Sequence, residues 1–123
     1  MERNLNKSGE YDYDLKNDIL FFKVKDREYA YSIELGNLIV DFDEEDFVVG
    51  LQIFDASTTF SIEKKNLREI KGFQFKSKIL NGLLTLNLGF SSITRNATTK
   101  HQPIIYERIR ENIPNSELIC TVN

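Results

Sequence analysis

The chain has few of the residues that most often carry chemistry. It holds one cysteine, Cys120, and one histidine, His101. A lone cysteine excludes an internal disulfide and gives no sign of an oxidising compartment, and a lone histidine excludes a metal site built on a histidine pair. Basic residues never cluster: the longest run is Lys64-Lys65 in a chain of net charge −3. Phosphate backbones demand a concentrated positive footprint, so nucleic acid is not an expected partner. No segment reaches the roughly eighteen apolar residues a membrane helix needs, and Met1 to Glu10 lacks the apolar core of an export signal. A cytoplasmic location with no membrane partner is the expectation. The six glycines lie apart, at positions 9, 36, 50, 72, 82 and 89, so there is no glycine-rich phosphate loop.

Among the 123 residues, 41% are hydrophobic and 28% charged, ordinary values for a globular chain and enough for one core. The expected organisation is a frayed polar tail over residues 1–10, followed by a single domain over 11–123. The sharpest local pattern is Leu38 to Ser57. Two apolar runs, Leu38 to Phe42 and Phe47 to Phe54, flank the acidic turn Asp43-Glu44-Glu45-Asp46, which is the pattern of a β-hairpin. In the second run Val49, Leu51 and Ile53 share one face, while Val48, Gly50, Gln52 and Phe54 share the other. Apolar groups on both sides predict a central strand that wants cover on each face. Gly50 inside it predicts a bulge or a close backbone approach.

Upstream, Ile19 to Val24 and Tyr29 to Leu35 read as strands joined by short turns, so residues 11–57 are expected to form a four-stranded antiparallel meander. Downstream, residues 58–123 form an extension expected to pack on it. Ile62, Asn66, Leu67 and Ile70 share a helical face, predicting one short helix ended by Gly72. Asn81-Gly82 between Phe73 to Leu80 and Leu83 to Phe90 is a strong two-residue hairpin signal, because both residues accept positive φ. Ser91 to His101 reads either as an outward continuation of that strand or as a loop. Pro103 to Asn112 fits a helix opened by Pro103, with Ile105 and Ile109 four apart, and also a strand with Ile104 and Tyr106 on one side. The strand is preferred. Leu118 to Val122 is a last β run. The fold class is therefore α+β, predominantly antiparallel β, with all-β as the alternative.

Several of these residues also carry a family resemblance. Tyr13-Asp14, Asp18 with Ile19-Leu20, Val40-Asp41-Phe42-Asp43 and the run Val48 to Ser57, with Gly50, Asp55, Ala56 and Ser57, resemble the small YuzE-like family of bacterial and archaeal proteins, domain of unknown function 2283. The resemblance covers about residues 11–57. It implies a small α+β fold with a meander sheet and no established activity. Some relatives are thought to sit beside toxin-like partners, which implies a binding or antitoxin-like role. The family's turn usually has glycine where this chain has Asp46, and Asp is one of the residues that tolerate a left-handed backbone.

No constellation rises to a catalytic signature, and no cofactor is expected. Asp41, Asp43 and Asp46 are the metal candidates, but a calcium loop would want glycine at Asp46 and an acid at Gln52. A solvated turn is the better account. Asp55, at a strand end beside Ser57, is expected to cap the following turn. His101 could join a triad only with a serine and an acid from positions the sequence does not place, and Cys120 reads as a small buried hydrophobe. Two function classes remain. The favoured one is a non-catalytic interaction module that pairs with a second copy, as a homo-oligomer, or with a small protein. The alternative is a small metal-dependent enzyme or small-molecule-binding protein using the acids around Asp14, Asp41 and Asp55.

Overall fold

A computed structural model describes residues 3–122. Ten strands and two short helices follow in the order β1 (Asn4–Asp14), β2 (Ile19–Val24), β3 (Tyr31–Leu35), β4 (Leu38–Phe42), β5 (Val48–Phe54), α1 (Ala56–Phe60), α2 (Lys64–Leu67), β6 (Lys71–Leu80), β7 (Leu83–Thr94), β8 (Ala97–His101), β9 (Ile104–Arg108) and β10 (Ser116–Thr121). The strands hydrogen-bond as β3-β4-β5-β2-β1-β10-β6-β7-β8, with β9 also on β7. The pairings are antiparallel apart from β1 with β10, which is parallel. The fold is thus mainly antiparallel β. Among the described residues no helix is long and apolar enough to cross a membrane.

Strand β1 is the hinge of the architecture. Asn4 to Ser8 pair with β10, and Gly9 to Asp14 pair with β2. A strand that changes partners midway turns a sheet back on itself. The two halves then face each other across one core, in which the Phe22 ring of β2 stacks on the Phe73 ring of β6 with centroids 3.8 Å apart. Tyr11, Phe75 and Phe90 extend this aromatic seam. Leu20, Leu51 and Ile53 line the core from one half and Leu84, Leu86 and Leu118 from the other, all at most 1% exposed. The crossover needs Gly9: a Cβ there would lie 2.5 Å from Cys120 Sγ and 2.6 Å from the Lys23 carbonyl oxygen.

Four expectations are corrected here. The segment 4–10 is strand, not a frayed tail, and order begins before Tyr11. It is polar because Asn4, Asn6 and Ser8 alternate outward, and its ladder partner, Glu117 to Thr121, is more than a hundred residues away. The meander is also not simple: β2 lies between β5 and β1, not beside β3. Ile19 and Phe21 alternate with Leu20, Phe22 and Val24, so β2 is apolar on both faces and suits an interior place. The polar Ser32 and Glu34 of β3 suit an edge. Finally, there are two short helices, α1 having been missed inside Ala56 to Phe60, and β3 begins at Tyr31 instead of Tyr29.

The expected helix is shorter than read, Lys64–Leu67, which leaves Ile62 and Ile70 outside it and Gly72 within β6. Several strand and turn readings hold. The Leu38 to Phe54 hairpin is β4 and β5, and β6 and β7 turn at Asn81 (φ 50°) and Gly82 (φ 81°). Strand β7 continues outward to Thr94 and returns as β8, so Ser91 to His101 is a hairpin, and the stretch after Pro103 is strand. Asp46 is left-handed, with φ 64°. The ladder shifts register between Asp41 and Phe42, and a Cβ on Gly50 would meet Asp41 Oδ2 at 2.6 Å. The glycine makes room for its cross-strand carboxylate, beside a bulge.

Candidate functional site

The polar residues singled out from the sequence separate into local clusters. The best connected joins the start of β2 to α1. Asp18, only 7% exposed and left-handed at φ 56°, accepts hydrogen bonds from the Tyr13 hydroxyl (2.6 Å), the Ser57 hydroxyl (2.6 Å) and the Ser57 amide (3.0 Å). Its carbonyl accepts the Ala56 amide at 3.1 Å. The first turn of α1 is therefore capped by a residue far away in sequence. Asp55 stands at the N-cap position with φ 52° but makes no side-chain cap, so the expected capping role passes to Asp18. Ala56 is fully buried, which pins the turn to the core. Asp14 closes the β1–β2 turn by accepting from the Asn17 amide (3.1 Å) and side chain (2.8 Å).

Burial pushes the Asp18 carboxyl upward, but the hydrogen bonds from Ser57 and Tyr13 outweigh it and hold the group below the usual carboxylate range. On the Tyr13 phenol, burial and then the Asp18 carboxylate act together and push it up. The sign for stability follows. A carboxyl with a depressed folded value contributes stability above its unfolded value of about 4, and loses that contribution as pH falls through the folded value. Asp18→Asn is expected to cost about 1–3 kcal/mol at neutral pH. Urea titrations at pH 7 and pH 3 should show the variant's deficit shrinking in acid; an equal deficit at both would contradict the network.

The acidic turn is organised by Asp43. Buried at 5% exposure, it accepts from the Glu45 and Phe47 amides at 2.9 and 3.0 Å and pairs with Arg27 at 2.5 Å. Arg27 also bonds Glu45 at 2.9 Å and lies over the Phe47 ring. Arg3 lies over the same ring and donates to the Glu45 carbonyl. Burial works against the Arg27 charge, yet Asp43 and Glu45 more than offset it. Asp46 accepts from the Tyr31 hydroxyl at 2.5 Å, and Asp41 accepts from Ser32 Oγ at 2.6 Å. The metal candidates Asp41, Asp43 and Asp46 thus each answer a different donor. Among the described residues no three His, Cys, Asp or Glu side chains converge as metal ligands. Beside the turn is an open cleft of about 360 Å³ lined by Arg27, Tyr29 and Asp43. Its guanidinium already has two carboxylates, leaving little charge to hold an anion.

One pairing the sequence could not place is Ser92 with His101, at 2.8 Å across β7 and β8. Neither position signals the other until the β7–β8 register is known. Ser92 is buried at 3% exposure beneath a histidine stacked on Phe90, a poor posture for attack on a substrate. Cys120 is fully buried, and burial pushes its thiol up to about 11, so it is protonated and inert.

What sequence reasoning also left unlocated is an apolar surface. Outward positions of the β1–β5 half align into rows: Asp12, Phe21, Gln52, Ile39 and Glu34 in one, Ile19 and Phe54 in the next. Phe21, Ile19, Ile39 and Phe54 are half-buried and stand apart from the core cluster. The second face of β5 is therefore only partly covered.

The fold and these clusters define a mainly antiparallel β protein whose motif residues hold turns and caps in place. The chain belongs to the DUF2283 family, proteins of unknown function, whose model matches residues 10–57. That span runs from the crossover strand to Ser57, the partner of Asp18. The chain is similar to a Methanosarcina mazei protein named "Putative hypoxanthine phosphoribosyltransferase", 36% identical over 86 residues and 70% of each chain. It is also similar to an uncharacterized protein of Methanocaldococcus jannaschii, 35% identical over 78 residues, 63% of this chain and 67% of that one. No solved structure matches.

Proposed function

We propose that this chain is a non-catalytic protein-interaction module whose working surface is the outer face of the β1–β5 half. The observation that carries the reading is the partly exposed patch of Ile19, Phe21, Ile39 and Phe54 around Gln52, bordered by charged residues. Contiguous apolar surface left open on a sheet is the usual mark of a binding face. The family-motif polar groups support the same reading. Asp14, Asp18, Asp41, Asp43 and Ser57 all have partners within the fold, so the motif reads as architecture that shapes the face. The partner would be a second copy of the chain or a small protein, an antitoxin-like role among the latter.

The alternative enzyme reading would draw on Asp14, Asp41 and Asp55. Asp14 ends β1, Asp41 is on β4 and Asp55 is at the start of α1. The name of the Methanosarcina mazei relative raises phosphoribosyl transfer in particular. Binding a diphosphate usually draws on clustered backbone amides at a glycine-rich turn, and the dispersed glycines here provide no such turn. Incubation of the full chain with hypoxanthine and phosphoribosyl diphosphate is expected to give no nucleotide. The module itself is tested by placing a photoreactive amino acid at position 21, with position 44 on the acidic turn as control. In the cells that make the protein, position 21 is expected to cross-link to a protein and position 44 to give far less; no adduct from position 21 would contradict the reading.

A further inference from the structure

The outer faces of the two sheet halves carry opposite charge. On the β1–β5 face, the apolar row of Phe21, Gln52 and Ile39 ends in Asp12 on one side and Glu34 on the other. The next row adds Glu10 and Asp41 against a single amine, Lys23. On the β6–β10 face, one row aligns Glu117, Lys78, Thr85 and Tyr106, and its neighbour aligns Ile119, Lys76, Asn87 and Ile104. Arg108 and Lys100 stand further along the same face. Its carboxylate, Glu117, is already paired with Lys76 at 3.1 Å, which leaves Lys78, Lys100 and Arg108 as the charges on offer. Leu80, Ile104 and Tyr106 are 50%, 50% and 62% exposed there, so this face too has an apolar content open to solvent.

Resting on the interaction-module reading, we infer that the partner is a second copy of this chain, docked with its basic β6–β10 face on the acid-rimmed β1–β5 face. Symmetric pairing of either face with itself would set like charges against each other, which costs affinity wherever they meet. Front-to-back pairing opposes Lys78 and its neighbours to Asp12 and Glu34. It also brings Ile104 and Tyr106 over Phe21 and Ile39, at the roughly 10 Å spacing of stacked sheets. Such a contact is heterologous: a docked pair keeps one free acidic face on one copy and one free basic face on the other, so assembly continues until a ring closes or a chain of copies grows.

Charge-swap complementation tests this directly. One variant carries Asp12→Lys and Glu34→Lys, the other Lys78→Glu and Lys100→Glu; all four positions are exposed. Sedimentation of the wild-type chain at about 0.05 M salt is expected to show concentration-dependent association that weakens at about 0.5 M, where exposed charges are largely screened. Each variant alone, with native circular dichroism, should associate about tenfold or more weakly. An equimolar mixture of the two should recover association, since one now has two basic faces and the other two acidic ones. Wild-type self-association by one variant while the other is weakened, with no recovery on mixing, would mean symmetric pairing through a single face, and two variants that both behave like wild type would mean an uncharged interface; either overturns the inference. A wild-type chain that stays monomeric in low salt overturns it too, and an adduct from position 21 to a different protein would then leave the module reading standing.

Discussion

Gly9→Ala is expected to cost about 3 kcal/mol or more, the upper end of what overpacking exacts. The added methyl would lie 2.6 Å from the Lys23 carbonyl oxygen, a backbone atom held in the β1–β2 ladder, and 2.5 Å from the fully buried sulfur of Cys120. A flexible side chain could swing away from such a clash; a ladder carbonyl cannot move without breaking its strand. The effect is a loss of the crossing between the sheet halves and not of local propensity, so the neighbouring exposed Ser8 should accept alanine at almost no cost. Urea denaturation of the two variants measures the difference. Equal midpoints would show that β1 does not cross where the structure puts it.

The second large effect is Phe73→Ala, expected to cost about 3–5 kcal/mol. The ring is 1% exposed, stacks on Phe22 at 3.8 Å, and contacts Tyr11, Phe75 and Phe90 within 6.5 Å. Its removal opens a cavity at the seam where the two halves meet. Glu45→Ala is the contrast: its side chain is 70% exposed, and its pair with Arg27 contributes at most about 1 kcal/mol. A Phe73→Ala variant no less stable than Glu45→Ala would mean that the halves do not share one core.

Local structure was legible wherever local chemistry determines it. The Leu38 to Phe54 hairpin, the Asn81-Gly82 turn and the left-handed Asp46 follow from alternation and from residues that accept positive φ. Pairing between distant segments was not legible. The polar alternation of Asn4 to Ser8 looks like a tail until the C-terminal strand is known to lie beside it, and β2 looks like the first strand of a meander until β1 and β5 enclose it. The candidate site divides in the same way. Asp14 and Asp18, Asp55 and Ser57 were picked out as motif residues, but the capping of α1 by Asp18 depends on bringing positions 18 and 57 together. The outer face emerged last, because a row such as Asp12–Phe21–Gln52–Ile39–Glu34 draws each member from a different strand.

Isoleucine methyl signals report on that face most directly. Ile19 and Ile39 lie on the outer surface of the β1–β5 half, whereas Ile53 and Ile79 are buried in the core at 1% exposure. With isoleucine methyls labelled and the protein concentration raised in low salt, the Ile19 and Ile39 resonances are expected to shift or broaden while those of Ile53 and Ile79 stay in place. Ile104, on the opposite face, should respond together with them. Association that shifts signals elsewhere in the chain while Ile19 and Ile39 stay in place would contradict the assignment of this face as the working surface.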